Sequence, residues 1–183
     1  MNKVRITDIK LLSGDTAVHS DMVTWNSEES LEVAALHYMN TLFGVPQLSI
    51  FLNDANENHL RMIKHYNQYW KKNRDILLSC NFTPSSPLEN YPLQSAQIEA
   101  KQIIGLYANQ WITVESSFNK IDVLNVKLTE NILLLGDINP TYYKYVIYNC
   151  LGEEKESGEI VLSNDCHLLQ VPSGGMIQLN KFK

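Results

Sequence analysis

Three signals follow one another between Thr16 and Phe51, and together they limit what the chain can fold into. A polar cluster comes first, an amphipathic helix pattern follows, and a short apolar run comes after Gly44 and Pro46. This order of strand end, loop and helix is the repeating unit of an α/β barrel, in which the loops after the strands carry the functional residues. One such unit cannot close a barrel by itself.

The first helix is predicted from about residue 27 to residue 43. Asn26 or Ser27 suits its N-cap, and the two glutamates that follow favour the positive end of a helix. Short strands are predicted on either side of it, at 16–18 and at 47–52, whereas residues 4–12 fit either a helix end or a strand. Apolar side chains recur at helical spacing at Leu31, Ala34, Ala35, Tyr38, Met39 and Leu42.

A second helix is predicted from about residue 57 to residue 79, opened by Asp54 and Glu57 in the manner of a capping box. His59 and His65 lie on this helix and lack the i, i+4 spacing of a metal-binding pair. We therefore expect both histidines to be solvated, and the sequence predicts neither a metal site nor a cofactor. The predicted apolar stripe consists of Leu60, Ile63, Tyr66, Trp70 and Leu77.

The composition changes at Asn81, where a linker with three prolines begins. Beyond it the hydrophobic period becomes two, which is typical of short strands in an antiparallel sandwich. The predicted fold is therefore α+β, with a helical part at 1–80 and an all-β antiparallel sandwich at 81–183. Strands are predicted near 93–99, 101–108, 111–115, 121–126, 131–135, 141–150, 157–163, 166–171 and 175–181.

Charge and hydropathy exclude several classes of protein. The formal net charge is −5 and no cluster of lysine and arginine is present, so nucleic-acid binding is not expected. No apolar run approaches the roughly 20 residues that span a bilayer, and the N-terminus lacks the apolar core of a signal peptide. We expect a soluble chain with no membrane partner, while the compartment of a longer parent protein stays open. The three cysteines have no CxxC spacing and are expected to be buried or free thiols.

The polar cluster His19, Ser20, Asp21 with Trp25 contains side-chain types suited to sugar contacts. A carboxylate accepts hydrogen bonds from hydroxyl groups, and an indole ring offers an apolar face to the C–H side of a pyranose. The alternative is that Asp21 bonds nearby backbone amides and Trp25 fills the core. Glycoside hydrolysis normally needs two carboxyl groups across the scissile bond, and no convincing pair of acidic residues is present.

Several segments resemble, in order, the C-terminal part of bacterial α-galactosidase (melibiase) chains, the family thirty-six glycoside hydrolases. The most specific elements are HSDM followed by a tryptophan and the run WKKNRDILL. Other matching segments are LLSGDTAVHSDMVTW, LHYMNTLFGVPQLSI, NYPLQSAQIEAKQIIGLYANQ, YYKYVIYNCLG and VPSGGMIQL. The resemblance covers nearly the whole chain.

The resemblance implies the end of a (β/α)8 barrel followed by a C-terminal sandwich, and retaining hydrolysis of terminal α-galactosides in the parent enzyme. The family's nucleophile lies in a K-W-D motif that this chain lacks, and its acid/base Asp lies upstream of the matching segment, so Asp8 is not that residue. The chain is thus expected to be catalytically incomplete by itself. His19, Ser20 and Asp21 match the loop after the last barrel strand, which implies a substrate-pocket role. Trp25 matches in position, with packing against the barrel as its alternative role.

A second interpretation is a stand-alone carbohydrate-binding or protein-interaction module. Such a module would expose coplanar aromatic rings on the sandwich, and Trp111, Tyr142 and Tyr148 are the candidates. The helices would leave apolar faces uncovered without the rest of a barrel, so we also expect them to dock on the sandwich and the chain to form a homodimer through the remaining barrel-end surface.

Overall fold

The structure, a computed structural model, describes residues 2–14, 16–53, 55–79 and 81–182. Within these residues, three helices precede a β-rich part, so the fold is α+β. The helices are α1 (Asn2–Ser13), α2 (Leu31–Met39) and α3 (Glu57–Leu77). The segment at 4–12, which the sequence left open between helix and strand, is helical.

Helix α2 is shorter than the predicted 27–43, and its N-cap is Ser30 rather than Asn26 or Ser27. Asn26 takes part in a turn instead, where its side-chain oxygen accepts a hydrogen bond from the amide of Glu28 at 3.0 Å. An Asn side chain that bonds the backbone two residues on stabilises a turn in place of a helix. The helix therefore starts only after this turn.

Helix α3 agrees with the predicted range and ends two residues earlier. Its N-cap is Asn56, whose side chain accepts a hydrogen bond from the amide of His59 at 2.9 Å. Asp54, the predicted first residue of the capping box, lies outside the described residues. Leu60 was predicted to lie in the buried stripe, but it is exposed. The buried face of α3 consists instead of His59, Met62, Ile63, Tyr66, Tyr69, Asn73 and Leu77.

Ten strands follow in the described part of the chain, and all nine strands predicted after the linker are among them with bounds shifted by a few residues. The additional one lies in the predicted linker. The strands are β1 (Phe82–Pro84), β2 (Leu93–Ile98), β3 (Lys101–Leu106), β4 (Trp111–Thr113), β5 (Lys120–Asn125), β6 (Asn131–Leu135), β7 (Thr141–Tyr148), β8 (Glu154–Leu162), β9 (Cys166–Gln170) and β10 (Met176–Lys181). The two short strands predicted at 16–18 and 47–52, which lie within the described residues, are not formed, and only isolated bridges occur near them.

The strands form two mixed sheets, so the prediction of a purely antiparallel sandwich was wrong. One sheet has seven strands in the order β1-β2-β3-β5-β10-β7-β8, and the other has three in the order β4-β6-β9. The pairs β3–β5 and β4–β6 are parallel. The chain leaves the large sheet after β3 to form β4 and returns for β5, and such a crossover brings the next strand back in the same direction.

The seven-stranded sheet lies between the helices and the three-stranded sheet. Side chains alternate along its strands, so one face packs against the helices and the other against the small sheet. Ile103, for example, belongs to the apolar cluster shared with α2 and α3, whereas Ile104 belongs to the cluster shared with the small sheet. The helices thus bury their apolar faces on the large sheet.

Helix α1 is tied to the large sheet by polar side chains on its buried face. Gln94 of β2 donates a hydrogen bond to the hydroxyl of Thr7 at 2.8 Å. The buried ammonium of Lys10 donates to the carbonyls of Phe43 and Leu77 and lies 4.4 Å from the centre of the Phe82 ring. The opposite face of this helix remains exposed.

Candidate functional site

Two segments on either side of α2, residues 18–23 and 45–49, run parallel to each other. His19 is bridged to Val45 and Val23 to Leu48. The hydrogen bonds run from the amide of Val45 to the carbonyl of Val18 at 2.8 Å, from Ser20 to Val45 at 3.0 Å, from Val23 to Gln47 at 2.8 Å and from Ser49 to Val23 at 2.8 Å. A helix that connects two parallel extended segments is a β-α-β arrangement.

Ser20 lies at an irregularity in this pairing. The bridges are four residues apart on the first segment and three on the second, so the first segment holds one extra residue. The Ser20 side chain is buried, and its hydroxyl oxygen accepts a hydrogen bond from the amide of Gln47 at 2.9 Å. This hydroxyl therefore takes the place of a backbone acceptor where the ladder is interrupted.

His19 and Asp21 flank Ser20 and are exposed. The Nδ1 atom of His19 lies 3.1 Å from the side-chain nitrogen of Gln47, which is placed to donate to it. Asp21 forms an ion pair with Arg5 of α1 at 2.8 Å, and its backbone exchanges two hydrogen bonds with the side chain of Asn2. In this structure the Asp21 carboxylate links α1 to the first segment.

A cavity of about 190 Å3 opens where both segments end. Thr24 and Trp25 line it from the first segment, Ser49 to Phe51 line it from the second, and Ala55 and His59 line it from the start of α3. The carboxyl ends of parallel strands are where α/β folds place their ligands. Of the four predicted site residues, Trp25 lines this cavity, while His19, Ser20 and Asp21 lie earlier on the same segment and are not among the described residues that line it.

His59 is buried and the Nε2 atom of His65 is buried as well, so the prediction that both histidines are solvated was wrong. The indole nitrogen of Trp25 donates a hydrogen bond to the Nδ1 atom of His59 at 3.3 Å, and the Nε2 atom of His59 lies 3.1 Å from the carbonyl oxygen of Glu29. A neutral imidazole with its proton on Nε2 satisfies both contacts. The two rings meet edge to face with centroids 6.1 Å apart, so His59 fixes the orientation of the Trp25 ring.

No protein-family model and no curated protein matches this chain significantly. Across the segments that the structure describes, no helix combines the length and the apolar character needed to cross a bilayer. The same segments contain no cluster of three or more His, Cys, Asp or Glu side chains that could hold a metal ion.

The cavity is lined by hydroxyl groups, aromatic rings and the imidazole of His59, both of whose nitrogens are engaged by Trp25 and Glu29. Its described lining residues provide the hydroxyls of Thr24, Ser27 and Ser49 and the rings of Trp25 and Phe51, and none of them is a carboxylic acid. Hydroxyls donate to and accept from a polyol, and an indole covers its apolar face. The lining contributed by the second segment and by His59 was not predicted. The sequence did contain a signal for the second segment: a strand that runs parallel to the first segment ends at the same edge of the sheet, so the residues after it lie near Trp25.

Proposed function

We propose that this chain forms the C-terminal part of an α-galactosidase-like glycoside hydrolase and contributes one wall of its galactoside pocket. The observation that carries the proposal is the parallel β-α-β arrangement around α2, with the Trp25 cavity at the carboxyl ends of its two segments. In this proposal the catalytic carboxylates come from another part of the parent enzyme, and the chain alone is inactive.

The free edge of the second segment supports this proposal. The backbone groups of Leu48 and Ile50 make no hydrogen bond with any other residue in the described ranges. An unpaired edge is a template for one more strand, and a barrel would supply that strand. The adjacent Phe51 is 84% exposed, although an aromatic side chain of this size is usually covered.

The polar groups around the cavity also fit the proposed substrate class. A terminal galactoside is neutral and presents hydroxyl groups together with one apolar C–H face. The hydroxyls of Thr24, Ser27 and Ser49 match the first feature, and the Trp25 indole, oriented by His59, matches the second. This role for Trp25 agrees with the position that the resemblance assigns to it.

The deciding experiment is to sequence the DNA directly upstream of the codon for Met1 and to express the whole reading frame. We expect an in-frame segment with a K-W-D motif and a second aspartate, and we expect the longer protein to hydrolyse p-nitrophenyl α-galactoside. The 183-residue polypeptide should give no turnover. In the longer protein, Trp25→Phe should lower kcat/KM, whereas Leu168→Ala, on the small sheet, should leave it unchanged.

Two results would contradict the proposal. One is an upstream sequence without any in-frame K-W-D segment. The other is turnover by the purified 183-residue polypeptide that is lost in Asp21→Asn, because the chain would then contain its own catalytic carboxylate.

The alternative of a stand-alone carbohydrate-binding module predicts coplanar exposed aromatic rings, and the three candidate rings do not form such a platform. Trp111 lies on the small sheet, Tyr142 lies on the large sheet against Phe182, and Tyr148 packs into the cluster beneath the helices. These three rings therefore do not share one face. Of the three rings, Trp111 is the one that is mostly exposed, and it borders a groove separate from the Trp25 cavity.

A further inference from the structure

The small sheet covers only part of the large one, and a groove remains at the uncovered end. Seven strands face three, and the short strand β4 forms one edge of the small sheet. Beside this edge, the faces of β2 and β3 that point away from the helices line a groove of about 300 Å3 with Ser95, Gln102 and Ile104. This volume lies at the lower end of the range of about 300–1,000 Å3 found for small-molecule sites.

Trp111 stands at the rim of this groove. Its neighbour Ile112 is buried in the core between the sheets, so the alternation along β4 turns Trp111 and Thr113 outward. The Trp111 side chain is 68% exposed, and it lines the groove together with Gln110 and Glu115. At this place the ring offers an apolar contact face beside polar groups, a combination that suits a ligand with both apolar and polar surfaces.

Gln102 provides the second, independent observation. Its side chain lines the groove and is 7% exposed, yet its buried amide oxygen accepts no hydrogen bond from any described residue. Buried polar atoms are nearly always paired, because an unpaired one has lost its water without any replacement. A hydroxyl group of a ligand, reached by rotation of the side-chain amide, would supply the missing donor.

The side chains that line the groove favour a neutral ligand over an acidic one. Among its described lining residues Glu115 is the only charged one, and the others with polar side chains are amides and hydroxyls apart from the Trp111 indole. With no basic residue to neutralise an anion, an acidic ligand would be repelled. A neutral pyranose matches both features, since its C–H face can cover the indole and its hydroxyls can bond the amides.

We propose that this groove is a second saccharide site, which binds a neutral polysaccharide segment by stacking on Trp111 and by a hydrogen bond to Gln102. It goes beyond the proposed function, because it lies on the opposite side of the large sheet from the helices. It requires no catalytic group and would operate in the 183-residue polypeptide as well as in a longer enzyme.

Affinity gel electrophoresis of the 183-residue polypeptide tests this site, with galactomannan or mixed-linkage β-glucan in the gel and polygalacturonate as an acidic comparison. We expect retardation by at least one of the two neutral polysaccharides and none by polygalacturonate. Trp111→Ala should weaken the binding about tenfold or more. Leu168→Ala, which removes an exposed apolar side chain on β9 of the same sheet, should bind as the unchanged protein does.

Gln102→Leu separates a binding role from a structural one. We expect it to lose most of the retardation while its midpoint of urea unfolding stays equal or rises, because a side chain with an unpaired buried oxygen is replaced by an apolar group of similar size. Absence of retardation by both neutral polysaccharides, or unchanged retardation in Trp111→Ala, would overturn the proposal. Neither result affects the proposed function, which depends on Trp25 and on hydrolysis of a small substrate.

Discussion

At the turn between β7 and β8, Gly152 lies directly against His65 of α3. Its φ is +76°, and a Cβ atom at this position would lie 2.3 Å from Nδ1 of that ring. We expect Gly152→Ala to lower the free energy of unfolding by about 3 kcal/mol, because it combines left-handed backbone strain with a clash. Urea denaturation gives this value. The control is Gly14→Ala, at φ +58°, where a Cβ atom would meet no atom of the described residues within 4 Å apart from its chain neighbours, and which should cost about 1 kcal/mol. Equal losses in the two variants would show that the contact with His65 is unimportant.

We expect the stability of the protein to depend on pH through His65. Burial lowers the pKa of its imidazole below the ordinary value of 6.5, and its Nε2 atom has no hydrogen-bond partner among the described residues. Below pH 6.5 the unfolded chain therefore binds a proton that the folded protein binds less readily. The pKa of His65 is lower in the folded protein than in the unfolded chain. The neutral ring therefore makes its full contribution to the free energy of unfolding above pH 6.5, and this contribution is lost as the pH falls below that value.

We expect this loss of stability on acidification to be smaller in His65→Gln, as measured by urea unfolding at several pH values between 7.5 and 5. The exposed His37 of α2 serves as the control, and His37→Gln should follow the unchanged protein. An identical pH profile for His65→Gln and the unchanged protein would contradict the assignment.

At the scale of elements, a buried polar network holds α3 on the large sheet. Asp122 of β5 accepts hydrogen bonds from the hydroxyl of Tyr69 at 2.9 Å and from the amide of Gln178 at 3.2 Å. The ammonium of Lys101 lies 3.3 Å from the same carboxylate and donates to Asn73 of α3 at 2.6 Å. Burial and the neighbouring carboxylate both raise the pKa of Tyr69, so its phenol stays protonated and donates to Asp122.

We expect Asp122→Ala to lower the free energy of unfolding by about 3 kcal/mol, since it removes the counter-charge of the Lys101 ammonium and leaves the hydroxyl of Tyr69 without its acceptor. Tyr69→Phe removes a single donor and should cost about 1 kcal/mol. Thermal or urea unfolding followed by circular dichroism measures both. If the two variants lose the same stability, the carboxylate is not the centre of the network.

The strands could be predicted from the sequence because their hydrophobic period is local. The alternation from Tyr142 to Tyr148, for instance, depends only on neighbouring residues, and β7 lies where it was predicted. The parallel pairs β3–β5 and β4–β6 could not be predicted in this way, because pairing depends on which sheet each strand joins. The strand β1 was missed because Pro84 and the serines after it have the composition of a linker.

At the candidate site, too, features that depend on neighbouring residues could be predicted from the sequence, and features that depend on distant residues could not. Trp25 was predicted from its place beside the polar cluster, and it lines the cavity. The buried state of His59 depends on the indole of Trp25 and the carbonyl of Glu29, 34 and 30 residues away in the chain. The helix pattern around His59 looks solvated, so only the tertiary structure reveals that this histidine orients the tryptophan.

At the scale of the whole molecule, the helical part covers the large sheet but leaves apolar surface of its own. Helix α1 buries Ile6 and Lys10 and turns Ile9 and Leu12 outward, where Leu12 is 89% exposed. Ile9 and Leu12 lie three residues apart and therefore share one face of the helix. An exposed apolar helix face of this kind is uncommon in a soluble monomer and is usually covered by a partner.

For the isolated 183-residue polypeptide, we expect a second copy to provide that cover. Light scattering at micromolar concentration should give about twice the chain mass of 20.9 kDa. Leu12→Glu places a charge on the shared face and should shift the protein to the monomer. Leu88→Glu, at a fully exposed leucine in the linker before β2, is the matched control and should remain dimeric. A monomer of 20.9 kDa that binds no dye for apolar surface would contradict this prediction, since it would mean that the outer face of α1 is stable in water without any partner. A monomer that does bind the dye would also contradict dimerisation, and it would mean that the apolar face stays uncovered in the isolated polypeptide.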